Sequence, residues 1–239
     1  MASGDAFFEL HRDLPREGPG DRASLDWALG HLVLPAEARI LDAGCGPGAD
    51  IDGLLAAAPR GRVVAVDRHA PFVARVRDQF AADPRVMARQ GDMARVEGPF
   101  DLVWCAGALY FLGLEAGLAH FRSILAPGGH LVVSHPAWFT PDPSAAAAAF
   151  WEEELALVMT LSELETAVER AGFDVHALRA LPDEAWHSYY TPMKHRIAVL
   201  RRGADPQLAA VLDEGQHEAD TWYEVRRETG YAQVVASRR

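Results

Sequence analysis

The stretch Ile-Leu-Asp-Ala-Gly-Cys-Gly-Pro-Gly-Ala-Asp, residues 40–50, decides the fold of this chain. Its apolar start is typical of the end of a buried strand. Gly44, Gly46 and Gly48 follow at every second position, and residues 49–58 then carry apolar side chains at helical spacing. A strand that runs through a glycine-rich turn into a helix is the nucleotide-binding unit of open α/β sheets. Glycines let the backbone approach a ligand closely, and the helix N-terminus offers it unpaired N–H groups.

Length and composition limit the class of protein. The chain has 239 residues, of which 49% are hydrophobic, and this suits one large α/β domain with or without a small lid. It contains no apolar run long enough to span a membrane and begins with nothing that resembles a secretory signal. The two cysteines, Cys45 and Cys105, suit a reduced compartment better than a disulfide scaffold. We therefore expect a cytoplasmic protein, monomeric or homodimeric, without a membrane partner.

Strands and helices alternate along most of the chain. Strands are predicted over residues 39–43, 62–67, 85–89, 100–105, 130–134, 173–178 and 231–236. Helices are predicted over residues 21–32, 49–58, from 71 to about 80, 114–125, 161–171, 193–201 and 206–227. This alternation indicates an α/β fold, with a Rossmann-like, doubly wound and mostly parallel seven-stranded sheet.

The chain is predicted to form a single domain, residues 1–239, in which three segments depart from the alternation of strands and helices. Residues 1–20 predict a short helix and an ordered loop that form an N-terminal lid, because Phe7 and Phe8 favour burial. Residues 136–160 and 182–229 predict helical insertions over the active site. Inside the first insertion, the three glutamates at 152–154 are interpreted as a solvated helix face.

The pattern Asp42-x-Gly44-x-Gly46-x-Gly48 resembles motif I of the class I S-adenosylmethionine-dependent methyltransferases. Further stretches match the same family in the same order: residues 100–105 resemble its motif IV, and Pro-Gly-Gly at 127–129 resembles its turn before the fifth strand. The opening of the chain and residues 186–192 look like a little-characterised bacterial subgroup. Two alternatives stay open. The first is an NAD(P)-dependent oxidoreductase, because the glycines with Ala49 also fit its fingerprint. The second is a non-enzymatic cofactor-binding module, because the chain shows no unmistakable catalytic residue.

The resemblance implies S-adenosylmethionine as the cofactor and assigns its contacts. In the family, the acidic residue matching Asp42 orders the glycine loop around the amino-acid part, and the one matching Asp67 accepts hydrogen bonds from the ribose hydroxyls. In the family, an acidic residue at the position of Asp92 contacts the adenine amino group. An aspartate that only stabilises a turn is an equal alternative for this position. The cofactor-binding residues implied in this way are Asp42, Gly44, Cys45, Gly46, Gly48, Asp67, Arg68, Asp92, Met93, Cys105, Ala106 and Tyr110.

The reaction implied is methyl transfer to a small-molecule acceptor. His135 follows the fifth strand, where ligands bind in such sheets, and is the base candidate; a histidine that satisfies loop backbone is the equal alternative. Cys105 is interpreted as a small residue beside the cofactor rather than a nucleophile. The substrate-binding candidates are His11, Arg16, Trp138, Trp186, Tyr189 and Tyr190. The histidines lack metal-ligand spacing, and a net charge of −11 does not favour nucleic acid as a partner.

Overall fold

The computed structural model describes residues 3–151 and 158–239, and within them eight strands form one sheet. The strands are β1 Arg39–Ala43, β2 Arg62–Asp67, β3 Val86–Gln90, β4 Phe100–Ala106, β5 Leu125–Trp138, β6 Met159–Thr160, β7 Phe173–Ala180 and β8 Thr229–Arg238. Their order is β3-β2-β1-β4-β5-β8-β7, with β6 paired to β5 beside this path. Only β8 runs antiparallel to its two neighbours. The predicted Rossmann-like, mostly parallel sheet is confirmed.

Helices cover both faces of this sheet and its carboxyl edge. In the described part of the chain they are α1 Ser3–His11, α2 Arg22–Leu29, α3 Ile51–Ala57, α4 Ala70–Gln79, α5 Leu114–Ile124, α6 Ala145–Ala149, α7 Leu161–Arg170, α8 Asp183–Leu200 and α9 Pro206–Val225. Among the residues described, no helix is long and apolar enough to cross a membrane. The three glutamates at 152–154, which were interpreted as a solvated helix face, lie outside the described residues.

The apolar strands are buried on both faces because neighbouring side chains of a strand point to opposite sides. Ile40 packs into a cluster with Leu25 of α2 and Leu54 of α3. The next residue, Leu41, packs into a second cluster with Phe121 of α5 and Val168 of α7. A sheet covered on both faces is the doubly wound arrangement that the continuous apolar runs predict.

Local signals explain where several helices begin and end. The Asp21 side chain accepts a hydrogen bond of 2.6 Å from the backbone N–H of Ser24 and so caps α2. Thr160 and Glu163 form a reciprocal capping box at the start of α7. Gly172 follows α7 with φ +90°, the left-handed conformation that favours glycine after a helix. These boundaries lie within a residue or two of those predicted.

A third buried cluster joins helices α1, α8 and α9, which we call the helical cap. Leu10 of α1 is 1% exposed and packs with Met193 of α8 and with Leu212 and Trp222 of α9. Arg196 of α8 donates hydrogen bonds to two backbone carbonyls of α1. The N-terminal segment is therefore part of the folded core, and residues 3–20 form a short helix followed by a loop, as predicted.

The structure lengthens the predicted helix 193–201 and adds a strand to the predicted sheet. Helix α8 begins at Asp183, ten residues before the predicted 193, although Pro192 lies inside it. A proline in a helix interior removes one hydrogen bond, but buried Trp186, Tyr189 and Met193 on the same helix offset that loss. The sheet also has an eighth strand, β6, whose two residues pair with Ala137 and Trp138. Two residues are too few to give a periodic pattern.

The packing of α1 predicts a measurable loss of stability. Leu10→Ala removes a side chain that is 1% exposed, and the resulting cavity should lower the free energy of unfolding by about 2–5 kcal/mol. Urea denaturation followed by circular dichroism measures this difference. The matched control is Val33→Ala at a residue that is 89% exposed, which should change stability by no more than about 0.5 kcal/mol. Equal stability of the two variants would contradict the role of α1 in the core.

Candidate active site

The glycine loop after β1 forms the floor of the candidate site. Gly44, Gly46 and Gly48 have φ values of +73°, +51° and +88°, which L side chains rarely adopt. A Cβ added at Gly44 would lie 2.5 Å from the Cβ of Ala108, in the loop after β4. Gly44 therefore lets the ends of β1 and β4 come closer than a residue with a side chain would allow.

The carboxylate of Asp67 joins the glycine loop to the end of β2. Its Oδ2 accepts a hydrogen bond of 2.9 Å from the backbone N–H of Gly46. Its Oδ1 accepts one of 2.7 Å from the backbone N–H of His69. Because a carboxylate has about four acceptor positions, Asp67 can still accept hydrogen bonds from a ligand in front of the loop.

Asp42, at the carboxyl end of β1, is 4% exposed and lines the cavity above the glycine loop. Burial, reinforced by the negative charges of Asp50 and Asp67, raises the pKa of Asp42 well above its usual range. A positively charged ligand group in this position would relieve the repulsion among the three carboxylates. The electrostatics of the loop therefore favour a cation.

An ion pair connects the N-terminal segment to the start of α3. Arg16 Nη2 lies 2.7 Å from Asp50 Oδ1, and both side chains are largely buried. The other Asp50 oxygen accepts a hydrogen bond of 2.9 Å from the indole nitrogen of Trp104. Arg75 of α4 also donates a 2.8 Å hydrogen bond to the carbonyl of Leu14. These contacts hold the loop of residues 12–20 over the site.

Two residues of that segment form a hydrogen-bonded dyad. His11 Nδ1 lies 2.8 Å from Glu17 Oε2, and the imidazole stacks on Phe7 with ring centroids 4.0 Å apart. A carboxylate accepts hydrogen bonds only, so Nδ1 carries the proton and Nε2 keeps a lone pair. Among the described residues, the buried Glu17 Oε1 has no hydrogen-bond partner. Sequence reasoning did not include Glu17 among the site residues.

These groups surround one cavity of about 660 Å³ between the carboxyl edge of the sheet and the helical cap. Its predicted lining residues are Asp42, Gly44, Cys45, Gly46, Asp67, Arg68, Met93, Ala106, Tyr110, His11, Arg16, Trp186 and Tyr189. Six further predicted residues do not line it: Gly48, Asp92, Cys105, His135, Trp138 and Tyr190. The structure therefore brings nine of the twelve predicted cofactor residues together with four of the six predicted substrate residues.

The residues outside the cavity have structural partners that account for them. Asp92 caps a short 3-10 turn through Ala94 and lies 2.7 Å from Arg68. The backbone N–H of Ala94 first, and Arg68 second, hold the pKa of Asp92 below its usual range. Tyr190 is 2% exposed and donates a 2.8 Å hydrogen bond to Glu218. Trp138 packs against the cluster of the helical cap.

His135, the predicted base, lies inside β5 rather than at its end. It is 3% exposed, and its Nδ1 lies 2.9 Å from the carbonyl of Pro136. Burial lowers the pKa of this imidazole. Strand β5 continues to Trp138, three residues beyond His135, so the predicted strand end was placed too early. This geometry fits the alternative interpretation, a histidine that satisfies backbone groups.

The two cysteines are buried thiols. Cys105 is completely buried in β4, and burial raises its pKa. Cys45 lies in the glycine loop, where burial and the charge of Asp42 raise its pKa as well. Because the thiolate is the nucleophilic form, burial disfavours Cys105 as a nucleophile. Cys105 does not line the cavity, in contrast to the small residue beside the cofactor that the sequence predicts.

Aromatic side chains form the wall of the cavity opposite the glycine loop. The ring centroids of Trp151 and Tyr231 are 5.9 Å apart, and those of Trp186 and Tyr231 are 5.3 Å apart. Glu218 of α9 lies beside them on the cavity. Sequence reasoning missed Tyr231 and Glu218, because a position within the predicted strand 231–236 or the predicted helix 206–227 gives no sign of a ligand site. Among the described residues, no cluster of side chains suits a metal ion.

Phe7 and Phe8 differ from the prediction that they are buried. They are 45% and 36% exposed, and both line the cavity. Phe8 stacks on His69 with ring centroids 3.6 Å apart, and burial lowers the pKa of this histidine. The two phenylalanines therefore form the rim of the site rather than part of the core.

Known proteins share both the sequence and the fold. A family model described as a methyltransferase domain matches residues 40–129. A trans-aconitate 2-methyltransferase of Acidovorax ebreus is 31% identical over 209 residues, which cover 81% of this chain and 80% of that protein. The crystal structure of an S-adenosylmethionine-dependent methyltransferase from Geobacter sulfurreducens, in complex with S-adenosyl-L-homocysteine, matches with a TM-score of 0.83 at 19% identity over 98% of both chains.

A similar enzyme from Thiobacillus denitrificans, also in complex with S-adenosyl-L-homocysteine, matches with a TM-score of 0.81 at 19% identity over 98% of both chains. At such identities the structures show the fold, whereas the sequence relative shows the family. These similarities give no support to the NAD(P)-dependent oxidoreductase alternative. The resemblance inferred from the motifs is confirmed: the chain belongs to the class I S-adenosylmethionine-dependent methyltransferases.

Proposed function

We propose that the cavity holds S-adenosylmethionine against the glycine loop and a small-molecule acceptor beneath the helical cap. The observation that carries this proposal is the continuity of one cavity from Gly46 and Asp67 to Trp186 and Tyr189. When bound, S-adenosylmethionine supplies an electrophilic methyl group on a positively charged sulfur. The chain's own task is to bind and orient both molecules and to keep water away from the reacting atoms.

The residues around the glycine loop fit this cofactor. The positive φ angles at Gly44 and Gly46 leave the backbone uncovered where a ligand can approach. Asp67 retains acceptor positions for the two ribose hydroxyls. The buried, unpartnered Glu17 Oε1 and the raised pKa of Asp42 suit the ammonium group of the amino-acid part, and Arg16 suits its carboxylate.

The acceptor in this proposal is a small molecule rather than a nucleic acid. The cavity is roofed by Phe7 and His11 of α1 and by Trp186 of α8, which leaves room for a metabolite. The net charge of −11 opposes contact with a phosphate backbone. Relatives named trans-aconitate 2-methyltransferase make a small carboxylic acid the first acceptor to test. The cytoplasmic location and the monomeric or homodimeric state stay predictions.

His11 replaces His135 as the proposed base. His11 lines the cavity, whereas His135 does not. In the dyad, Glu17 fixes the imidazole so that Nε2 is the basic atom, and Glu17 is therefore a positioning residue. The imidazole would take the proton that an acceptor loses when it gains a methyl group.

Methyl transfer to a metabolite is tested directly with a tritiated methyl group. The purified protein is incubated with labelled cofactor and, separately, with a bacterial metabolite extract, total RNA or total protein. We expect label in the metabolite fraction, because the cavity lies under the helical cap and admits only small ligands. Heat-denatured enzyme is the control. Label in RNA or protein, without label in metabolites, would contradict the proposal.

Asp67→Asn tests the cofactor site. The amide keeps the shape of the side chain but cannot accept all the hydrogen bonds of the carboxylate, so binding of S-adenosylmethionine should weaken by about 1–3 kcal/mol. Isothermal titration calorimetry measures the affinity. Asp78→Asn, at an exposed position of α4 that does not line the cavity, is the matched control and should bind as the wild type does. Wild-type affinity in Asp67→Asn would exclude Asp67 from the cofactor site.

His11→Ala tests the base. Loss of a general base typically lowers the rate by about 10²–10⁴-fold, while calorimetry should give unchanged affinity for S-adenosyl-L-homocysteine. His195→Ala, at an exposed histidine of α8, is the control. Added imidazole should restore activity to His11→Gly but not to Asp67→Asn. If His11→Gly is as active as His195→Ala, or if imidazole has no effect, His11 is not the base.

A further inference from the structure

The charges around the cavity oppose an acidic acceptor. Among the described residues, its lining carries five acidic side chains, at Asp42, Asp50, Asp67, Glu17 and Glu218. Two arginines and two histidines line it as well, and three of these four groups already contact a carboxylate of the chain. A polycarboxylate placed here would therefore meet mostly acidic side chains, because these cationic groups are paired within the chain and Arg16 also faces the carboxylate of the cofactor in the proposed function.

Each arginine on the cavity is held in an ion pair. Arg16 Nη2 lies 2.7 Å from Asp50, and Arg68 Nη2 lies 2.7 Å from Asp92. The imidazole of His11 is hydrogen-bonded to Glu17, and burial lowers the pKa of His69, which favours its neutral form. Residues 152–157, which like residues 1 and 2 lie outside the described part of the chain, contain three glutamates and no basic residue.

The aromatic wall is suited to a cation. Trp186 stacks on Trp222 with ring centroids 5.2 Å apart and lies 5.3 Å from Tyr231, so its ring is fixed. Aromatic faces attract ammonium groups through their negative electrostatic potential. The Glu218 carboxyl group lines the same cavity, and its Oε1 accepts a 2.8 Å hydrogen bond from Tyr190. Together they form a site with aromatic sides and one carboxylate.

This wall meets the end of β4, the edge of the sheet where the reaction is expected. Gly107 follows β4 with φ +77°, and a Cβ there would lie 3.2 Å from the ring of Tyr231. The glycine thus allows the Tyr231 ring to lie against the loop after β4. A ligand on the aromatic wall would be adjacent to Ala106 and Ala108, which line the same cavity.

We infer that the acceptor is an amine, recognised as its ammonium form by Glu218 and by the rings of Trp151, Trp186 and Tyr231, and methylated on nitrogen. This inference rests on the proposed function and specifies its substrate class. It differs from the substrate named for the sequence relatives, which is a tricarboxylic acid. The choice of an amine over a carboxylic acid rests on the ion-paired arginines and on the carboxylates that line the cavity.

Transfer to nitrogen balances in atoms and charge. The bound ammonium gives one proton to Nε2 of His11 and becomes a neutral amine. The nitrogen lone pair forms a bond to the methyl carbon, the carbon–sulfur bond breaks, and its electron pair stays on sulfur. The products are a methylated ammonium ion and S-adenosyl-L-homocysteine, and His11 then releases its proton to water.

Matched ligand pairs test recognition without turnover. Protein saturated with S-adenosyl-L-homocysteine is titrated calorimetrically with three amines and the carboxylates of similar shape: tryptamine and indole-3-propionate, tyramine and 3-(4-hydroxyphenyl)propionate, butylamine and pentanoate. We expect at least one amine to bind about tenfold or more tightly than its carboxylate partner. Trans-aconitate should bind no better than the carboxylates.

The variant Glu218→Gln removes the charge but keeps an oxygen that accepts the Tyr190 hydrogen bond. It should abolish the preference for the amine while leaving the affinity for S-adenosyl-L-homocysteine unchanged. Glu214→Gln, on the same helix but away from the cavity, is the control and should keep the preference. Absence of an amine preference in the wild type, including failure of every probe to bind, or its survival in Glu218→Gln, overturns the inference.

Fractionation of the labelled metabolites separates this inference from the proposed function. After incubation with tritiated cofactor, the extract is divided by ion exchange into cationic, neutral and anionic fractions. Label in the cationic fraction supports the inference. Label confined to the neutral or anionic fractions overturns it but leaves methyl transfer to a small molecule intact. No label in any fraction, with normal cofactor binding, contradicts the proposed function and this inference with it.

Discussion

The hydrogen bond from the Gly46 N–H to the Asp67 carboxylate is the contact on which the site depends. It links the loop after β1 to the end of β2, and the same carboxylate holds the backbone of His69. Only glycines adopt the positive φ angles of this loop without strain. Because the loop cannot take another path, the backbone around Gly46 stays open to a ligand, and α3 begins where its N-terminus faces the cavity.

The N-terminal segment completes the site through two different kinds of force. Leu10 and Leu14 bury apolar surface in the cluster of the helical cap, and this fixes α1 against α8 and α9. The ion pair of Arg16 with Asp50 then ties the following loop to the sheet. A largely buried ion pair of this kind adds little net stability, but it fixes the position of Glu17 and His11 next to the glycine loop.

Sequence patterns predicted the sheet well and the cap less well, for physical reasons. Buried strands such as β2 produce continuous apolar runs, and the capping residues Asp21 and Gly172 mark helix ends. Pro192 concealed the first half of α8, because the burial that offsets a proline is not visible in local sequence. His135 was placed at a strand end, yet three further paired residues carry β5 to Trp138. The dyad of His11 and Glu17 depends on a loop conformation that no spacing encodes.

Family membership leaves the acceptor open, because the two halves of the site come from different parts of the chain. The family model matches residues 40–129, which contain the glycine loop, Asp67 and the end of β4. His11, Trp186 and Glu218 all lie outside that range and belong to the helical cap. A fold of this kind hosts many reactions through changes in such added elements. In the proposed function, the side chains of the cap, rather than those of the sheet, therefore distinguish one acceptor from another.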